Sequence, residues 1–336
     1  MSRVLVTGSS GRLGRSVVEV LADAGHEVVE VDLVIHDERT GAIAADLTDP
    51  AAASAAIGGA KADAVIHLAA IAVPFSAPEQ HILRTNASLA YNVMQAAVDA
   101  GVRKIITASS PTVFGYGSPA GWVPDRLPLD EDVEPRPWNA YALSKLLAER
   151  TMQMFAAQRG DAVRLAAFRP CYVVAPEEWR GAPTQQGHTI QQRLDDPALS
   201  APALFNYVDA RDVGAFLDTL IGALDDIPNA QTFIVGAADA LARRPLSELM
   251  PQYVPAAAEA ARELTGTRPA FSIAKAERML GWTPAHDWRT ELAANEALVS
   301  IPSRTAVTSL CDAPEPAAGG PGSTSGARRA ENQGAK

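Results

Sequence analysis

Residues 3–32 do most to limit how this chain can fold. Val4-Leu5-Val6 is a short apolar run of strand type. Thr7-Gly8-Ser9-Ser10-Gly11-Arg12-Leu13-Gly14 is a glycine-rich turn. Leu13, Val17, Val20, Leu21 and Ala24 then recur at helical spacing until Gly25, where a helix C-terminal glycine belongs. A second strand-like run, Glu27 to Val31, stops at Asp32. In such a unit the turn lacks Cβ atoms so that backbone can approach a pyrophosphate, and the helix offers free N–H groups and its positive dipole end to the phosphates. Gly8, Gly11, Leu13 and Gly14 are therefore candidate cofactor contacts. Arg12 either pairs with a phosphate or is solvated. Asp32, 24 residues after Gly8, can accept from both ribose hydroxyls of an adenosine. Its charge would repel a 2′-phosphate, so the spacing predicts NAD rather than NADP. A tight turn with a surface aspartate is the competing reading.

The rest of the first half keeps the same rhythm. Strands are predicted over residues 64–68, 103–108 and 162–168, with helices from Glu79 to Ala100 and from Asn139 to Arg159. That alternation predicts an α/β fold, a Rossmann-like doubly wound parallel sheet with a small C-terminal substrate lobe. Residues 1–170 form the expected dinucleotide-binding core. Residues 171–300 form a mixed lobe, with Rossmann elements returning over about 205–236: a helix from Asp209 to Leu224 and a strand from Thr232 to Val235. Residues 175–204 read as irregular, and 237–284 as turns and short helices. A tail over 302–336, of low complexity from Asp312, is expected to be disordered.

Composition narrows the function. The chain has 336 residues, 47% hydrophobic and 20% charged, with a formal net charge of −10. That balance argues against non-specific nucleic-acid binding and against attachment to an anionic membrane. Cys171 and Cys311 lie far apart and without metal-type spacing, so two reduced thiols, no metal and a cytoplasmic protein are expected. The first residues run straight into a strand without a leader pattern, and no run approaches the ~18 apolar residues of a membrane span.

Tyr141-Ala142-Leu143-Ser144-Lys145 carries the chemistry. Residues four apart on a helix stack on one face. A phenol titrates near ~10, too high for a good base at neutral pH, and an adjacent ammonium, together with the positive nicotinamide ring, favours the phenolate. Alone, such a pair is a common surface feature; behind a dinucleotide turn it reads as an acid/base group working beside the cofactor.

These strings occur with others. Ile66-His67-Leu68-Ala69-Ala70, Asn86, Ser109-Ser110-Pro111-Thr112-Val113-Phe114-Gly115, Arg169-Pro170, Tyr207-Val208-Asp209-Ala210-Arg211-Asp212-Val213 and Lys275-Ala276-Glu277-Arg278-Met279-Leu280-Gly281-Trp282-Thr283-Pro284 follow in order. Over about residues 3–295 the chain resembles an extended short-chain dehydrogenase/reductase of the NAD-dependent epimerase/dehydratase family. The resemblance implies a triad of Ser110, Tyr141 and Lys145. Tyr141 would take a proton from a substrate hydroxyl, Ser110 would hydrogen-bond the same oxygen, and Lys145 would also hold the nicotinamide ribose. It further implies that the backbone of Leu68, Ala69 and Ala70 lines the cofactor, that Ser109 neighbours it, and that Pro170 and Cys171 meet the nicotinamide end. Asp46 and Leu47 are placed beside the adenine, although Asp46 also reads as a helix N-terminal acid. Asn86 is expected to bind backbone near the active-site strand, His67 to be a buried structural histidine, and Cys171 to be a packing residue.

The substrate is less legible. Nucleotide-sugar members of this family tend to place an arginine just before the Tyr/Phe-Val segment. Here 36 residues separate Pro170 from Tyr207, and Pro202-Ala203-Leu204-Phe205-Asn206 contains no arginine. Candidate substrate contacts are Val73, Ser110, Thr112, Asn139 and Asn206, with Trp179, Arg180, Gln185 and His188 as pocket caps. The leading reading is hydride transfer between NAD and a small hydroxylated substrate, a sugar or sugar acid of carbohydrate metabolism. An NAD-dependent (nucleotide-)sugar epimerase or dehydratase with tightly bound cofactor is the alternative within enzymes, and a non-catalytic dinucleotide sensor is the alternative of another class. A homodimer through the helices from Glu79 and Asn139 is compatible with the resemblance.

Overall fold

The structure, a computed structural model, describes residues 1–35 and 41–299. Seven parallel strands form one sheet: β1 (Arg3–Thr7), β2 (Glu27–Asp32), β3 (Ile43–Ala44), β4 (Ala64–His67), β5 (Lys104–Ala108), β6 (Arg164–Pro170) and, after two short strands outside it, β9 (Gln231–Val235). Their order is β3-β2-β1-β4-β5-β6-β9. The other two, β7 (Val173–Val174) and β8 (Val208–Asp209), pair in parallel by themselves. Helices α1 (Arg12–Asp23), α2 (Pro50–Ala60), α3 (Glu79–Asp99), α4 (Ala140–Arg159) and α7 (Ala210–Ala223) cover the main sheet. The smaller elements are α5 (Pro176–Trp179), α6 (Ile190–Asp195), α8 (Leu246–Tyr253), α9 (Ala274–Leu280) and α10 (Trp288–Val299).

The sheet is built from near-continuous apolar strands because helices cover both faces. Val4 and Val6 point into one buried cluster with Phe168, Phe216 and Phe233, whereas Leu5 points into a second with Ile57, Val93 and Phe155. Strand order reverses between β1 and β4, which run to either side of the sheet. At that switch point the carboxyl ends of adjacent strands leave a crevice, where ligands bind in open α/β sheets.

Residues 175–204 are more ordered than the sequence suggests. They hold α5, α6 and two 3-10 turns. Thr189 caps α6 by accepting from Gln192 N, while the Gln192 side chain returns a bond to Thr189 N. Six residues are too few for a helical period to stand out. Helix α2 was hidden for another reason: apart from Pro50 and Ile57 it is a run of alanine, serine and glycine without a clear amphipathic pattern, and it is Asp49, not Asp46, that caps it. The expected tail and Cys311 lie outside the described residues.

Candidate active site

The site begins at the end of β1. Gly8 has φ +72°, and a Cβ there would lie 2.7 Å from Ala69 N. A Cβ on Gly14 would lie 2.0 Å from the Gly8 carbonyl oxygen. Both positions need glycine for the turn to fold back on itself and for α1 to start beneath it. No side chain caps α1 and its first turn carries no acid, so the N–H groups that open a helix are left for a ligand. Asp32 accepts from Ser10 N (2.9 Å) and Leu33 N (2.7 Å), which fixes the carboxylate at the edge of the crevice. The residues thus fit a dinucleotide: a Cβ-free cradle, an uncapped helix start and an acid for the ribose.

A single cavity of about 750 Å³ runs from there along the carboxyl ends of the strands. It brings together Gly8, Gly11, Arg12, Leu13, Gly14, Asp32, Asp46, Leu47, Leu68, Ala69, Ala70, Ser109, Ser110, Thr112, Tyr141, Lys145, Pro170, Cys171, Gln185 and Asn206. Other expected residues lie off its wall. Asn86 Oδ1 accepts from Ile71 N (2.8 Å), and its Nδ2 donates to Ile71 O and to Ser144, so it holds the loop after β4 from behind. Asn139 caps α4 through Ala142 N. Val73, Arg180 and His188 do not border the cavity, and Trp179 is buried with Nε1 donating to Asp209. Arg12 borders the cavity while already engaged: it pairs with Glu178 and also donates to Gln185 (2.8 Å) and Val173 O (3.1 Å). Ser109 borders the cavity, but its hydroxyl donates away from it to Glu149, which holds Arg169 at 2.7 and 2.8 Å. Asp46 accepts from Thr48 N and Oγ1, which lowers its pKa.

Ser110, Tyr141 and Lys145 meet near the middle of the cavity. Ser110 lies two residues beyond β5 and caps the 3-10 turn Pro111–Phe114, and its Oγ accepts from Thr112 N (3.2 Å) and Thr112 Oγ1 (2.9 Å). Tyr141 and Lys145 share one face of α4, with the Lys145 Nζ 5.8 Å from the Tyr141 ring centroid. Lys145 donates to Ala108 O at 3.0 Å. Burial lowers the Lys145 pKa to about 8. Burial also pushes the Tyr141 phenol up to about 12, opposed by its hydrogen bond with Ser110. The expected phenolate rests on the Lys145 ammonium together with the positive nicotinamide ring; in the protein alone, burial acts against it. His67 is buried, and its pKa falls to about 3 through desolvation and the nearby Lys145 charge. Burial raises the Cys171 thiol well above its ordinary value, as suits a packing residue.

Sequence reasoning missed Tyr116, Tyr172, Gln186 and Pro202, which also wall the cavity. Tyr116 and Tyr172 each sit one or two residues beyond a quoted motif, so adjacency was their only signal.

The chain belongs to the NAD dependent epimerase/dehydratase family, whose model matches residues 4–236. It is an NAD-dependent enzyme of the short-chain dehydrogenase/reductase type. A uronate dehydrogenase of Agrobacterium fabrum is 30% identical over 244 residues, covering 69% of this chain and 87% of that protein. A UDP-glucose 4-epimerase of Corynebacterium glutamicum is 26% identical over 316 residues, covering 86% and 93%. Among solved structures, a short-chain dehydrogenase/reductase superfamily protein from Agrobacterium tumefaciens with bound NAD superposes with a TM-score of 0.64 at 25% identity, covering 88% of this chain and 96% of that one.

Proposed function

We propose that the protein oxidises a free sugar or sugar acid, passing hydride to NAD, with Ser110, Tyr141 and Lys145 as the reacting set. The observation that carries this reading is the convergence of those three side chains in the cavity that also reaches the glycine turn and Asp32. Bound NAD supplies the hydride acceptor. Gly8, Gly11, Leu13 and Gly14 would hold its pyrophosphate, Asp32 its adenosine ribose, and Lys145 its nicotinamide ribose. Ser110 orients the substrate hydroxyl. As the C–H electron pair leaves that carbon, the hydroxyl proton passes to Tyr141, and a carbonyl remains. The neutral phenol of the free enzyme needs the positive charges gathered around it at turnover to ionise. The uronate dehydrogenase relative supports a small carbohydrate substrate.

Tyr141→Phe is expected to lower turnover by roughly two to four powers of ten, the usual scale of acid/base loss, with NAD affinity nearly intact. Stopped-time NADH absorbance over a panel of sugars, uronates and aldonates measures it. Wild-type turnover by the variant would overturn the assignment.

The length of the match to a UDP-glucose 4-epimerase favours a second reading, epimerisation of a nucleotide sugar. Micromolar binding of a UDP-sugar with epimerisation and no NADH release would favour it. Tyr91 on α3, with Leu143, Leu147 and Met154 on α4, are exposed apolar side chains on two helices packed together. They support a homodimer through this pair, and a monomeric mass by sedimentation at micromolar concentration would exclude it.

A further inference from the structure

Behind the cavity wall made by Tyr172 and Gln186 lies Arg193, on α6 and 1% exposed. Its guanidinium stacks on the Tyr172 ring, 4.3 Å from the centroid, and donates to Gln186 Oε1 at 2.6 Å. Two polar atoms of this cluster, Arg193 Nε and the Tyr172 hydroxyl, are buried without a hydrogen-bond partner. Among the described residues no carboxylate forms an ion pair with Arg193. The acid whose field reaches it, Glu178, is already bound to Arg12. Two guanidinium groups against one carboxylate leave a positive charge uncompensated beside the cavity. Arg211, on the other side, is taken up by Asp209 and Glu291.

A charge taken out of water is costly unless it is paired. A guanidinium keeps its charge at any ordinary pH and can only donate. Gln186 must therefore turn its oxygen to Arg193, which leaves the amide NH2 as the end available to a ligand. The site offers one full positive charge and the two N–H donors of an amide. That set matches a monoanion with two acceptor oxygens. A phosphate dianion calls for paired cationic donors, which Arg12 and Arg211 are not free to provide.

We propose that Arg193, acting through Gln186 together with Tyr172, makes the part of the cavity walled by these two residues selective for a carboxylate, so that the substrate is a sugar acid rather than a neutral or phosphorylated sugar. This rests on the oxidation reading above and narrows it. Arg193 is a positioning residue: it orients and polarises Gln186 without facing the reacting carbon.

The test compares a hexuronate, the matching neutral hexose and the hexose 6-phosphate, each with NAD and the full chain. The wild type is expected to favour the hexuronate in kcat/KM by about tenfold or more, the scale of a hydrogen bond to a charged group. Arg193→Met should erase that preference through KM for the hexuronate, and Arg193→Lys should restore part of it. Since Arg193 is buried, Gln186→Glu makes the same test at an exposed position, by setting a carboxylate against a carboxylate. Preference of the wild type for the hexose or its phosphate would overturn the proposal. So would a Gln186→Glu variant in which the ratio of hexuronate to hexose kcat/KM is unchanged. Calorimetric titration of each sugar separates the two readings. Carboxylate-selective binding without NADH would sink the oxidation reading alone, and NADH formation without carboxylate selectivity would sink this one alone.

Discussion

At the scale of single residues, His67 is the clearest case of a group whose protonation is set by its neighbours. Thr7 Oγ1 accepts from Leu68 N (3.2 Å) and Ala69 N (3.3 Å), so its own proton is the one that meets His67 Nδ1 at 2.8 Å. His67 Nδ1 is thus an acceptor, and the ring is neutral with its proton on the other nitrogen. The folded-state pKa is lowered to about 3 from 6.5. As pH falls through that window the unfolded chain takes up a proton that the folded chain refuses. The stability His67 allows is therefore present above pH 6.5 and lost progressively toward 3. Urea unfolding between pH 7 and about 4 should show a stability slope of up to ~1.4 kcal/mol per pH unit from this one proton. That component should vanish in His67→Gln. Equal slopes in the two proteins would show that the ring protonates in place.

At the scale of elements, the glycines of helices do opposite work. Gly14 lies in α1 directly over the turn, and a Cβ there meets the Gly8 oxygen and the Ser9 backbone at 2.0–2.8 Å. Those atoms are backbone and cannot step aside without opening the phosphate cradle. Gly14→Ala should weaken NAD binding at least about tenfold, a loss of ~1.4 kcal/mol, and lower the unfolding midpoint. Gly58, in α2, has nothing within 4 Å of its missing Cβ. Gly58→Ala should therefore stabilise the protein by about 0.5–1 kcal/mol through the lower entropy of its unfolded chain. Circular dichroism with calorimetry distinguishes them. Similar effects from both substitutions would mean that helix propensity, not the close approach, governs Gly14.

At the scale of the whole molecule, the cavity joins elements far apart in sequence, from the turn after β1 to Pro170 and Asn206. A ligand spanning it ties the sheet ends to the later segment, and binding to the folded state alone adds stability by mass action. NAD at one hundred times its dissociation constant should add about 2.7 kcal/mol, a rise in Tm of several degrees for a chain of this size. With Asp32 fixed by Ser10 N and Leu33 N at the crevice edge, NADP should give a smaller shift at equal concentration, and Asp32→Ala should narrow the difference. A thermal-shift series with both dinucleotides decides this; an equal response of the wild type would remove Asp32 as the discriminator.

The sequence by itself determined the parallel sheet, the glycine turn, Asp32 and the pairing of Tyr141 with Lys145, because each depends on local periodicity or on spacing within one element. Its apolar strands needed no partner to be recognised, and four residues on a helix always share a face. Tertiary structure decided what local rules cannot reach. Arg12 and Ser109 border the cavity, but their partners Glu178 and Glu149 come from 166 and 40 residues away and could not be read locally. Asn86 binds backbone as expected, but only the fold showed that its partner is Ile71 in the loop after β4, since a helix position says nothing about which loop lies opposite. The Tyr141 phenol is pushed up to about 12 because burial, a property of the assembled core, disfavours its charged form. Arg193 carried no motif at all. Its meaning appeared only when folding set a buried cation against Tyr172 and Gln186 and gave it, among the described residues, no acid to pair with.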